Sequence, residues 1–285
     1  MKLTKEKVFP IIISALKEDI SSGDSTSSVL FEKDISLLAH IIAKEECVLA
    51  GMDAARWVFD VVDERIAFTP LYKDGDKVKK GKRIISVKGS AKNVLGAERT
   101  VLNFLGHLSG VATLTAEFAR EVKGTGAKIY DTRKTIPGLR ELEKYAVAIG
   151  GGFSYRVGLW DGIMIKGNHL ESMRVKGEGL RVKAVGEAIT AFKNRRYKNI
   201  EVEVENIAEF KQALEAGADI IMLDNMKIEE IKKVVKLRKG LKVILEASGG
   251  ISLENIKKIA KTGVDRISIG RLTHSAPSID FSLEI

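Results

Sequence analysis

A chain of 285 residues can hold one large domain or two modest ones with an ample core, and its 45% apolar and 30% charged content is an ordinary soluble balance. The formal net charge of +9 raises nucleic acid as a partner, but the cations are interleaved with Asp and Glu, aromatics are only 6%, and neither zinc-ligand spacing nor an aromatic RNA-binding pattern occurs. No apolar run of about 18 residues exists to span a membrane, and the single Cys47 excludes an internal disulfide and suits a reducing, cytoplasmic setting.

Residues 1 to 20 read as an amphipathic helix with Val8, Ile11, Ile12, Ala15 and Leu16 on one face, rather than a signal peptide. The turn-rich EDISSGDSTS that follows reads as a solvated loop carrying Asp19 and Asp24. From 35 to 90 the signals are short strands, with KDGD and KKGK as hairpin-turn chemistry. Between them lies a helix, MDAARWVFDVVDE, whose buried side is read as Trp57, Val58, Val61 and Val62. Residues 92 to 123 form a long helical region that Gly106 and Gly110 are expected to break or bend into two helices. Arg99 sits beside its apolar stripe.

After 125 the pattern becomes a repeating strand and helix unit. Strands read as AKIYDT, GIMIKG, NIEVEVE, DIIMLDN, KVILEAS and RISIG, and three of the intervening helices end at Gly217, Gly240 and Gly263. Alternating elements with near-continuous apolar strands imply a parallel sheet. The short, regular spacing favours a barrel. Glu203, Asp224, Glu246, Ser248 and Gly270 are each placed at a strand's C-terminal end, where barrel positions converge on one mouth.

Three constellations carry chemistry. Arg133, Lys134, Arg156 and Lys166 lie at strand ends or beside glycines; Arg engages a carboxylate or phosphate through two parallel bonds and Lys adds a point charge. Ser248, Gly249 and Gly250, with Ser268 and Gly270 one unit later, suit backbone amides approaching a phosphate. Glu203 and Asp224 face this cationic set as carboxylates for a ribose, a Mg²⁺ ion or general-base work. His107 and His169 read more readily as structural hydrogen-bonding residues, and no His or Cys has transition-metal spacing.

The segments AERTVLNFLGHLSGVAT, DTRKTIPGLRELEKYAV, GGGFSYRVGL, IMIKGNH, EVEVEN, MLDN, EASGGIS and TGVDRISIGRLTHSAPSIDFSLEI resemble the quinolinate phosphoribosyltransferase family over nearly the whole chain. The resemblance implies an α/β protein: an N-terminal α/β sandwich (1–108, rejoined by a tail at 272–285) and a C-terminal partial, TIM-like α/β barrel (109–271). It implies phosphoribosyl transfer from phosphoribosyl pyrophosphate to quinolinate with loss of CO₂ and pyrophosphate, giving nicotinate mononucleotide for NAD synthesis. By motif match Arg133, Arg156 and Lys166 hold the acceptor's carboxylates, and Arg99 joins them across a homodimer interface; whether dimers assemble further into hexamers stays open. Lys134, Glu203 and Asp224 engage the donor and Mg²⁺, and Ser248, Gly249, Gly250, Ser268 and Gly270 hold the 5-phosphate. Thr132, Tyr155 and His169 complete the expected substrate contacts.

Two positions depart from the family's usual pattern. Ser154-Tyr155 stands where Asn-His precedes the arginine, and Gly167 stands where Asp follows the strand lysine. Two other readings are a related transferase of the molybdenum-transport-associated type, with another acceptor, and a non-catalytic binding protein on the same scaffold.

Overall fold

The computed structural model describes residues 2–31, 33, 35–174 and 181–285, so of the helix expected over 1–20 only Met1 lies outside the described residues. In chain order the first elements are α1 (Lys5–Ile20), α2 (Ser25–Leu30), β1 (Ser36–Ala43), β2 (Cys47–Val48), α3 (Met52–Val62), β3 (Ala67–Pro70), β4 (Lys77–Val78), β5 (Arg83–Ser90) and α4 (Ala91–Val122). Then come β6 (Lys128–Tyr130), α5 (Arg140–Ile149), β7 (Ile163–Ile165), α6 (Gly167–Arg174), α7 (Arg181–Asn194), β8 (Ile200–Val204) and α8 (Ile207–Glu215). The chain closes with β9 (Ile220–Asp224), α9 (Ile228–Leu237), β10 (Ile244–Ser248), α10 (Ile256–Ala260), β11 (Arg266–Ser268), α11 (Arg271–His274) and β12 (Phe281–Glu284). Two compact units result: Met1–Ala116 with Lys134–Gly152 and Gly270–Ile285, and Glu117–Arg133 with Phe153–Ile269. The boundary expected at 108/109 falls inside α4.

The first unit is built on an antiparallel sheet in the order β12-β1-β5-β3, so the C-terminal strand pairs with the first one. Val8, Ile12 and Leu16 recur at helical spacing and bury one face of α1. Phe9 meets Trp57 of α3 edge to face, with ring centroids 6.1 Å apart.

Four local expectations need correction in this unit. The segment EDISSGDSTS read as a loop instead closes α1 and opens α2, because the Asp24 carboxylate accepts from the Thr26 and Ser27 amides at 2.9 and 3.0 Å and caps α2. The side-chain and backbone bonds from Ser27 hold that carboxyl below its ordinary range. The buried side of α3 runs through Ala54, Ala55, Trp57, Val58 and Phe59, whereas Val61 is exposed. KDGD and KKGK are turns but not hairpins, since β4 pairs with β2 and β5 with β1 and β3. Finally, α4 is one continuous helix of 32 residues. Gly106 and Gly110 serve close approach there, not a break. A Cβ at Gly110 would collide with the Pro277 carbonyl, and the Ile279 amide donates to the Gly106 carbonyl at 3.0 Å.

The second unit is a six-stranded parallel sheet, β6-β11-β10-β9-β8-β7, with helices between its strands: a partial TIM-like barrel. All six strands expected from the sequence are present. Their cores, among them Val202, Val204, Ile221, Leu223, Leu245, Ala247 and Ile267, are buried, as a parallel sheet requires. Gly217, Gly240 and Gly263 follow α8, α9 and α10 with positive φ, as their helix-stop reading demands.

Candidate active site

Parallel register brings the polar strand ends of the second unit into rows. Tyr130, Ser268, Ser248 and Asp224 occupy one row across β6, β11, β10 and β9. Two positions earlier, Lys128, Arg266, Glu246, Met222 and Glu203 form a second row across five strands. Glu203, Asp224 and Ser248 are half-buried at the rim. Glu246, expected at the mouth, lies instead inside β10, 1% exposed.

Lys166 follows β7 directly, and its ammonium stands 3.3 Å from Glu203 Oε1. The other carboxylate oxygen of Glu203 accepts from the Gly167 amide at 2.9 Å, at the start of α6. Two of the expected site residues are therefore in direct contact, and Gly167 takes part through its backbone. His169 is exposed, and its Nδ1 accepts from the Lys166 amide at 2.9 Å. That bond gives it a local role at the helix start.

Arg156 is 8% exposed. Its Nε donates to the Asp161 carbonyl at 3.2 Å, and the Asp161 carboxylate accepts from the Val157 amide at 3.0 Å. Thr132 and Arg133 are half-buried in the segment after β6, beside a buried Asp131. Ser154 Oγ donates to that carboxylate at 2.5 Å, anchoring the segment that carries Tyr155 and Arg156. After β10 the chain turns through Gly249 and Gly250, both at positive φ. A Cβ at Gly249 would collide with the Asn225 side chain, so only glycine fits.

Beneath the rim lies a buried polar layer that the strand-end reading missed. Glu201 is fully buried on β8, and neither of its carboxyl oxygens has a hydrogen-bond partner among the described residues. Burial first, and then the neighbouring Glu246, push its carboxyl up to about 9. Glu246 is raised as well, chiefly by burial, although Ser268 Oγ donates to it at 2.5 Å. Arg266 Nη1 faces Glu246 Oε2 at 3.9 Å. The Tyr155 hydroxyl is buried without a partner among the described residues and is pushed up to about 12 by burial and by Glu201, so it stays neutral. The signal was available in IEVEVE, where alternate glutamates must share a face of the strand.

The remaining expected residues belong to the first unit. Lys134 accepts from Thr273 Oγ1 through its carbonyl at 2.6 Å, and its stem covers Gly270, where a Cβ would come within 2.9 Å. Arg99 is exposed on α4 and lines a cavity of roughly 470 Å³ with Asp19, Asn103, His107 and Ser278. His107 is bound at 2.9 Å to the buried carboxylate of Glu143, the structural role expected of it.

Family models for the N- and C-terminal domains of quinolinate phosphoribosyl transferase match residues 24–109 and 111–284. A probable nicotinate-nucleotide pyrophosphorylase (carboxylating) of Bacillus subtilis is 42% identical over 94% of this chain and 90% of its own. Its counterpart in Methanocaldococcus jannaschii is 39% identical over 99% of both chains. Among solved structures, the nicotinate-nucleotide pyrophosphorylase of Francisella tularensis superposes with a TM-score of 0.90 at 43% identity, covering 99% of this chain and 97% of that one. Sequence, fold and the strand-end chemistry agree: the chain belongs to the quinolinate phosphoribosyltransferase family.

Proposed function

We propose that the chain transfers a phosphoribosyl group from phosphoribosyl pyrophosphate to the ring nitrogen of quinolinate, releasing pyrophosphate and CO₂ and forming nicotinate mononucleotide. The observation that carries this reading is the Lys166–Glu203 contact at the rim of the parallel sheet, which sets a cation and a carboxylate 3.3 Å apart. An acceptor with two adjacent carboxylates needs fixed cations, and a ribose carbon that turns positive as its leaving group departs needs a fixed anion nearby.

Arg133, Arg156 and Lys166 clamp the carboxylates and orient the ring nitrogen toward the anomeric carbon. Glu203 and Asp224 face the ribose and stabilise its developing charge. The amides of Gly249 and Gly250, with Ser248 and Ser268, cradle the 5-phosphate. Once the ring nitrogen is quaternised, its positive charge stabilises the electron pair left on the adjacent ring carbon as the carboxylate departs as CO₂, and a proton from solvent then completes that carbon. Thr132 and Tyr155 flank the cations in sequence, and His169 supports Lys166 through its amide.

For Lys134, Gly270 and Arg99 the reading rests on the motif match. Lys134 engages the donor, Gly270 the phosphate, and Arg99 reaches the acceptor of a second copy in a homodimer. The exposure of Arg99 supports that last role.

A Mg²⁺ ion accompanies the pyrophosphate donor. No three His, Cys, Asp or Glu side chains converge as a metal cage among the described residues. The rim offers Glu203 and Asp224, two hard oxygen donors, and this fits an ion that completes its shell with phosphate oxygens and water. When bound, the ion neutralises the leaving pyrophosphate. No helix among the described residues is long and apolar enough to cross a membrane; we place the enzyme in the cytoplasm.

The test is purified protein with quinolinate, phosphoribosyl pyrophosphate and Mg²⁺, reading nicotinate mononucleotide and CO₂. Both products are expected from the unsubstituted chain, and Arg133→Ala and Lys166→Ala should abolish turnover while thermal unfolding stays near normal. Near-normal turnover in either variant would sink the assignment.

A further inference from the structure

A ladder of alternating cations and rings runs through the second unit. The Lys128 ammonium lies 5.1 Å from the Phe153 ring, Phe153 stacks on Tyr130 at 5.6 Å, and the Arg266 guanidinium sits 4.8 Å from Tyr130 and 5.1 Å from Tyr155. Lys128 and Tyr130 come from β6 and Arg266 from β11, whereas Phe153 and Tyr155 are alternate residues of the segment leading to Arg156. The segment thus interdigitates with two strands. Its backbone reinforces this, with the Phe153 amide donating to the Ile129 carbonyl at 2.8 Å and the Asp131 amide donating to the Phe153 carbonyl at 3.0 Å. Ser154, pointing the other way, is held by Asp131.

Arg266 is the one member of the ladder that grips two rings at once. It is mostly buried, with a side-chain exposure of 16%, and Glu246 faces it at 3.9 Å. A guanidinium is planar and weakly hydrated, so it can lie against an aromatic ring on each side, which a compact ammonium does poorly. We propose that Arg266 is a positioning residue for acceptor recognition: clamped between Tyr130 and Tyr155, it fixes the segment that presents Arg156, and so sets affinity for the dicarboxylate rather than for the phosphoribosyl donor. This rests on the proposed function. It adds to that reading a residue of β11 that packs against rings and faces the buried Glu246.

The physical consequence is selective. Replacing the guanidinium by an apolar chain of similar length keeps the stem packed but releases Tyr155, so the backbone next to Arg156 loses an anchor and the Arg156 guanidinium must rely on its own bonds, such as that to the Asp161 carbonyl. The donor's phosphate cradle rests mainly on the glycine turn after β10, and its one β11 member, Ser268, is tied to Glu246 and not to a ring. A Lys at the position retains the charge and part of the ring contact.

The experiment compares the unsubstituted chain with Arg266→Met, Arg266→Lys, Tyr155→Leu and the Arg266→Met/Tyr155→Leu double variant. Steady-state KM is measured for quinolinate and for phosphoribosyl pyrophosphate separately, alongside kcat and thermal unfolding. Arg266→Met should raise the quinolinate KM about tenfold, with the donor KM unchanged within about twofold and Arg266→Lys falling between. Tyr155→Leu should reproduce the effect, and the double variant should lose little more than the worse single one, because both break the same clamp.

An unchanged quinolinate KM in a folded Arg266→Met protein would overturn the inference, as would equal rises in both KM values or additive losses in the double variant. If Arg266→Met does not fold, Arg266→Lys and Tyr155→Leu are read by the same criteria. Absence of turnover in the unsubstituted chain would overturn the proposed function and this inference with it. Normal turnover with an unaltered Arg266→Met overturns the inference alone.

Discussion

Glu203 at the rim of the parallel sheet and Glu201 in the layer beneath it stand two residues apart on β8, on one face, with identical side chains. Glu203 accepts a backbone amide and faces Lys166. Glu201 is fully buried, has no hydrogen-bond partner among the described residues, and has the carboxyl of Glu246 as an electrostatic neighbour. The difference shows that residue type does not assign chemistry on a barrel strand; depth does. At the rim, charge is wanted and is compensated by a cation. One layer in, the cheaper state of a carboxyl is the protonated one.

Isosteric amides separate the two. Glu203→Gln removes the rim's negative charge while keeping its shape, and kcat should fall by on the order of a hundred- to a thousandfold. Glu201→Gln resembles the neutral acid already present near pH 7, so turnover should change far less. Comparable losses in both variants, measured as kcat at saturating substrates, would erase the distinction between rim and interior.

A second test uses stability against pH. Glu201 has its folded value raised from 4.5 to about 9. Between those limits the folded chain holds a proton that the unfolded chain has released. Stability from this group is therefore complete below about pH 4.5 and is lost as pH rises toward 9, by at most about 1.4 kcal/mol per pH unit. Glu246, also raised, acts in the same direction. Glu201→Gln removes one such proton, so its stability relative to the unsubstituted chain should grow from pH 6 to pH 8 in urea unfolding. Parallel curves would mean that Glu201 is ionised in the folded protein.

The same contrast explains what the sequence made legible. Rim residues such as Lys166, Glu203 and Asp224 were readable because a polar side chain at the end of an apolar run has few structural reasons to be there. The six parallel strands were readable for the same reason, as apolar runs between helix stops at Gly217, Gly240 and Gly263. Arg266 was not, and Glu246 was read at the mouth when it lies inside β10, because their roles depend on which strands become neighbours: Glu246 opposes Arg266 only once β10 pairs with β11. Gly106 and Gly110 misled for a related reason. Locally they weaken a helix, but the segment around Pro277 and Ile279, far along the chain, needs their missing side chains. Tertiary contact overrode local propensity in each case.

The smallest effect is expected just past the rim, where β8 leaves the sheet. Asn206 caps α8: its side-chain oxygen accepts from the Glu209 amide at 3.0 Å, and its amide nitrogen donates to Glu209 Oε1 at 2.9 Å. Glu209 is itself buried and sits 3.2 Å from Arg181. Asn206 lies three residues past Glu203 in sequence, yet this polar cluster serves the helix start, not the rim. Asn206→Ala should therefore destabilise the chain by about 1 kcal/mol and leave both KM values unchanged. A rise in either KM at unchanged stability would show that the rim extends beyond the strand end, and the boundary between site and scaffold on β8 would have to move outward to include the cap.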